Sequence, residues 1–146
     1  MHAAALVAWI ATATGGLTLA AIWLARGGWS RPQDVEEKIT TKDAKRLAPL
    51  GISLHMLVPH ALLAVVGLVL WAAFTASRDD YEQVKIAGPL ILTVVVTLGA
   101  LMWSWARRAQ RSRVRVPEDG LPGVVVLLHG LGAAITVVLV IIALAQ

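Results

Sequence analysis

Four long runs of apolar residues, at about positions 3–24, 50–75, 84–106 and 121–145, are separated by three short islands that hold almost all of the charge. Each run reaches the roughly 20 apolar residues that a helix needs to cross a bilayer core of about 30 Å. A water-soluble core helix needs neither this length nor this uniformity. The pattern predicts an all-α fold: an integral membrane four-helix bundle forming a single transmembrane domain over residues 1–146, with residues 25–49 as a polar connector.

Helix punctuation agrees with these boundaries. Pro49 and Pro122 fall at or near the first helical positions of the second and fourth runs, where a missing N–H costs nothing. Pro59 lies inside the second run, where it frees the carbonyl of His55 and should kink the helix. The first run begins without a positive n-region, exceeds the 7–15 apolar residues typical of a signal segment, and has its charges after it, so it is expected to be retained as a span. No internal repeat is evident.

The basic residues orient the bundle. Arg26, Arg31, Lys38, Lys42, Lys45 and Arg46 lie between runs one and two, and Arg107, Arg108, Arg111, Arg113 and Arg115 between three and four, whereas the middle connection holds only Arg78 and Lys85. This bias places the first and third connections in the cytoplasm and both termini outside. Trp23, Trp29, Trp103 and Trp105 would then anchor the cytoplasmic interface, with Trp71, Phe74 and Tyr81 towards the outer one. The connector alternates Asp34, Glu36 and Glu37 with lysines, as a solvated segment or as a docking surface for a partner subunit.

Composition changes the picture only by exclusion. With 58% apolar residues and a mean hydropathy of +0.72, the chain is not a soluble domain. Anionic headgroups account for its pI of about 10.1, so no nucleic-acid partner is needed. The absence of cysteine excludes disulfides, iron–sulfur clusters and thiolate ligands. No carboxylate falls within a run, which removes the usual ion-coupling site and the Glu-rich site of a di-iron bundle.

Histidine is then the residue left to carry chemistry. His60 and His129 lie in runs two and four, which point the same way; counted from the expected starts they sit roughly 15 and 12 Å deep, level within the error of the boundaries. Ionisable groups in a bilayer are functional candidates by default, and paired imidazoles are common ligands of metal ions and haem iron. Ala64 and Gly67 follow His60 on the same helical face, as Ala133 and Thr136 follow His129, leaving room for a planar macrocycle beside each ligand. Gly15 and Gly16, with Thr12 and Thr14, would form a third wall. The same small residues, with Gly130, Gly132 and Ala134, also suit plain helix packing with His hydrogen bonds. His55 is about 140° round the helix from His60 and near the interface, within reach of a propionate, a quinone carbonyl or water. His2 is expected to be solvated, and Met56 and Met102 to be soft ligands or packing residues.

Across the whole chain, this architecture resembles small membrane cytochromes of the b type. The segments that carry the resemblance are His60-Ala61-Leu62-Leu63-Ala64-Val65-Val66-Gly67 and His129-Gly130-Leu131-Gly132-Ala133. The resemblance implies haem b held between histidines on separate helices. Better-known members stack two haems, whereas this chain offers one histidine pair, implying one haem in the cytoplasmic half and Arg107, Arg108, Arg111 or Arg46 beside its propionates. The expected function is an electron carrier or redox subunit of a multi-pass protein of a bacterial cytoplasmic membrane, rather than a stand-alone enzyme. Its expected partners are the lipid bilayer, a quinone, and other membrane subunits or further copies of the chain. The competing readings are a cofactor-free structural or assembly subunit of a larger membrane complex, and a quinone- or lipid-binding module.

Overall fold

The computed structural model describes residues 1–28, 52–76, 82–111 and 120–145, with side chains described from 86 to 108 in the third of these segments. Four helices make up the described chain: α1 (His2–Ala25), α2 (Leu54–Ala76), α3 (Glu82–Arg111) and α4 (Gly123–Leu144). Each is long and apolar enough to cross a membrane. Large side chains such as Val7, Leu62, Leu90 and Leu127 are exposed around the bundle, as lipid requires and water would penalise.

The helix ends show where hydropathy misplaces a boundary. α2 starts at Leu54, not at position 50, because the Ser53 carbonyl receives the N–H groups of Met56 and Leu57 and serine suits the cap position. α3 runs beyond position 106 to Arg111, since long cationic side chains continue a helix into the headgroups while keeping their charge in water. α1 ends in a Schellman turn. Gly27 adopts φ 81°, and Gly27 and Gly28 donate to Leu24 and Trp23. Pro122 immediately precedes α4 and its carbonyl accepts from Val126, while Pro49 and the charged connector lie outside the described residues. Pro59 is internal to α2, as expected, and Pro89 is internal to α3 in the same manner.

α1 packs most extensively on α4, and α2 on α3. Both pairs are antiparallel: Trp71 near the end of α2 lies against Gly88 near the start of α3, and Trp71 Nε1 also reaches the His2 carbonyl at the start of α1. α2 and α4 are therefore parallel. Ala5, Trp9, Trp71, Leu92, Val140 and Ala143 form a buried cluster at the end where α1 begins and α4 finishes. The other end carries Arg26, Arg107 and Arg108. His2 is half-buried, its ring stacked on Trp71 at 6.0 Å and meeting the Phe74 ring at 5.1 Å. Threonine hydroxyls bond the carbonyl one turn back, as in Thr14 to Ile10 and Thr97 to Thr93, so they need no water.

The tight contact between Trp9 and Gly67 gives a direct test. A Cβ at Gly67 would lie 2.7 Å from the indole and 3.0 Å from Ile91, whereas one at Gly123 meets nothing within 4 Å. Gly67→Leu should lower stability by about 1–3 kcal/mol in thermal unfolding in detergent. Gly123→Ala should leave it within about 0.5 kcal/mol.

Candidate functional site

With the helix starts fixed at Leu54 and Gly123, His60 and His129 are each six residues into their helices, and so at equal depth. Their rings face each other across the bundle, with centroids 6.4 Å apart and planes at 74°. Helices α2 and α4 thus deliver two imidazoles to one point. Metal–imidazole bonds of about 2 Å on opposite sides of one ion place ring centroids about 6 Å apart.

Each imidazole is oriented by a helix other than its own. His60 Nδ1 lies 3.0 Å from the Val95 carbonyl on α3, and His129 Nδ1 lies 2.9 Å from the Thr12 carbonyl on α1. A carbonyl only accepts, so in both rings Nδ1 carries the proton and donates it. Nε2 is then a bare lone pair in each neutral ring. Among the described residues neither Nε2 receives a hydrogen bond. Anchoring Nδ1–H to a backbone carbonyl while Nε2 stays free is the usual preparation of a histidine for ligation.

Glycines make these bonds reachable. Gly16 sits one turn beyond Thr12, and a Cβ there would come within 2.8 Å of His129 Cε1. Gly99 sits one turn beyond Val95, and a Cβ there would lie 3.3 Å from His60 Cε1. A helical carbonyl is shielded by the side chain of the following turn, so removing that side chain lets a ring edge approach. Gly15, whose Cβ would meet His129 at an ordinary 3.7 Å, adds to the same wall.

The remaining residues singled out by sequence divide around this pair. Ala64 and Ala133 are half-buried beyond the histidines. Gly67 is covered by Trp9 and Ile91. Thr136 is fully buried, donates to the Gly132 carbonyl and lies 3.3 Å from the Thr12 hydroxyl. The Trp9 and Trp71 cluster therefore fills the space beyond the histidines on the side away from the arginines. His55 is exposed near the start of α2, and His2 lies near the opposite end of the bundle from His55. Met102 is buried and Met56 half-buried. At the arginine end, Arg107 lies 4.7 Å over the Trp103 ring and Arg108 bonds Ser104. Arg46 and the Arg111 side chain lie outside the described residues. No group of three or more His, Cys, Asp or Glu capable of holding a metal occurs among the described residues. The carbonyls of Thr12 and Val95, and Gly99 beneath His60, were not foreseen as orienting groups, because which turn of α1 or α3 faces a histidine depends on helix rotation.

These hydrogen bonds have a measurable worth. In cofactor-free protein, His60→Ala and His129→Ala should each lower stability by about 1–3 kcal/mol through a lost interhelical bond and lost packing. His55→Ala, at an exposed position, should change it by less than about 0.5 kcal/mol. Chemical or thermal unfolding in micelles reads the difference.

No family model, curated protein or solved structure matches the chain.

Proposed function

We propose that the protein binds one b-type haem between His60 and His129 and acts as an electron carrier or redox subunit of a membrane. The observation that carries this reading is the pair of imidazoles in edge-to-face contact, their centroids 6.4 Å apart, each with Nδ1–H committed to a carbonyl and Nε2 without a hydrogen bond among the described residues. Two neutral imidazoles held close together, each with an uncommitted Nε2 lone pair, suit a Lewis acid, and a haem iron would be one. The donor set fits the group: two neutral nitrogen ligands, no carboxylate within the apolar runs and no cysteine in the chain. When bound, the haem would supply one-electron chemistry; His60 and His129 would hold it, and the surrounding helices would exclude water and limit access.

The same observation separates this reading from a quinone site. A quinone carbonyl needs donors, and both Nδ1–H groups are already used. A cofactor-free structural subunit would leave both Nε2 lone pairs without a hydrogen-bond partner among the described residues, at a cost in a low-dielectric setting.

The membrane placement belongs to the same proposal. The basic bias of the first and third connections puts the arginine end in the cytoplasm and both termini outside. Arg107 and Arg108 then stand at the rim nearest the site, where forked guanidinium groups suit carboxylates such as propionates. A reporter active only in the cytoplasm, fused after Gln146, should stay silent; activity there would reverse the orientation.

Absorption and electron paramagnetic resonance spectra test the cofactor. Protein expressed with haem and purified in mild detergent should give a low-spin, bis-imidazole spectrum. His60→Ala and His129→Ala should each lose low-spin character, while His55→Ala and His2→Ala retain it. Haem at a hundredfold excess over its Kd should raise stability by about 2.7 kcal/mol. Colourless wild-type protein that takes up no added haem, with its helicity intact, would overturn the proposal.

A further inference from the structure

The two halves of the chain correspond position by position. In α2 and α4 the matching residues are 69 apart: His60 with His129, buried Gly67 with buried Thr136, buried Trp71 with buried Val140. In α1 and α3 they are 83 apart: buried Ala5 with buried Gly88, Trp9 with Leu92, Thr12 with Val95, Gly16 with Gly99, and Trp23 with Ala106. Exposure follows the same registers almost throughout, from 54–76 onto 123–145 and from 3–25 onto 86–108. A shared helical period accounts for part of that agreement. It does not account for the hydrogen bonds.

Those bonds cross between the halves in a matching way. His129, from the second half, donates to Thr12 of the first over Gly16; His60, from the first half, donates to Val95 of the second over Gly99. Exchanging the halves turns one arrangement into the other. The packing obeys the same exchange, since α1 on α4 becomes α3 on α2. Charge does as well, because the basic connections are the ones inside each half, between α1 and α2 and between α3 and α4. A few identities persist, among them Leu62 with Leu131, Ala64 with Ala133 and Thr14 with Thr97.

We infer that the protein is a duplicated helix hairpin whose central site is built from two equivalent half-sites, each pairing the histidine of one hairpin with the glycine-bared carbonyl of the other. Gly16 and Gly99 are the positioning residues of these half-sites. Parallel repeats of this kind are related by an axis along the membrane normal, which here runs between the two imidazoles. A group held here would meet equivalent nitrogen donors from the two halves, which suits a metal centre. That last step rests on the proposed haem binding, whereas the duplication and the half-sites do not.

The experiment uses the full chain with ¹⁵N-labelled histidine in detergent micelles, first without cofactor. Wild-type His60 and His129 should both show a protonated Nδ1 and a bare Nε2. Gly16→Ala should shift the His129 resonances alone, and Gly99→Ala the His60 resonances alone and by less, since its Cβ would stand 3.3 rather than 2.8 Å from the ring. Gly123→Ala, with nothing within 4 Å and six residues before His129, should shift neither. The gentler Gly99→Ala keeps the test decisive if Gly16→Ala does not fold. With haem added, each folded glycine variant should lose about tenfold or more in affinity, the usual effect of disturbing the groups behind a ligand. Half-sites are refuted if the histidine facing the substituted glycine does not move, or if both histidines move equally. Should the wild type bind no haem while the selective shifts appear, the haem reading fails and the half-sites stand.

Discussion

A polar atom inside an apolar bundle has no water to fall back on, and that requirement organises this molecule more than any single packing contact. Hydroxyls of Thr12, Thr14, Thr18, Thr93 and Thr97 return to their own helices. The imidazoles cannot, because their rings project away from their own backbone. They borrow a carbonyl from a neighbouring helix that is already part of its own ladder, and the neighbour must be stripped to glycine for the ring to arrive. Each histidine thereby fixes the rotation of two helices at once, its own and the one it bonds, so that one interaction sets both the local geometry of the site and the pairing of α1 with α4 and of α2 with α3.

Much of this was legible in the chain, for physical reasons. Spanning an apolar layer demands length, and length is visible, so the four helices could be counted. The equal depth of His60 and His129 could also be read, and improved once Ser53 rather than the hydropathy rise marked the start of α2. Gly15 and Gly16 were recognisable as a wall near the histidines. Gly99 and Val95 were not, because α3 is apolar around most of its circumference and its sequence does not say which turn faces α2. The contacts of His2 with Trp71 and Phe74 were not legible either, because only the folded bundle brings those rings to the start of α1.

The repeat was hidden for a related reason. Lipid-facing positions accept any large apolar residue, so they drift without penalty, and in the interior a large residue in one half answers a small one in the other. Trp23 stands opposite Ala106 in the register, and Gly67 opposite Thr136. What persists is what geometry cannot exchange: an imidazole at one depth and a missing side chain beneath it. A hairpin has an even number of helices, so a copy re-enters the membrane in the same direction and inherits the same charge bias.

The buried indoles of Trp9 and Trp71 close the bundle on one side of the histidines, and Trp23, Met102 and Ala106 are buried on the side of the arginines. The two imidazoles therefore sit in a layer packed from above and from below, so a shift of either ring has to be taken up by the helices that carry it rather than by empty space. Movement at this depth is a movement of backbone, and the stiffness of the bundle at both ends sets how far it can go.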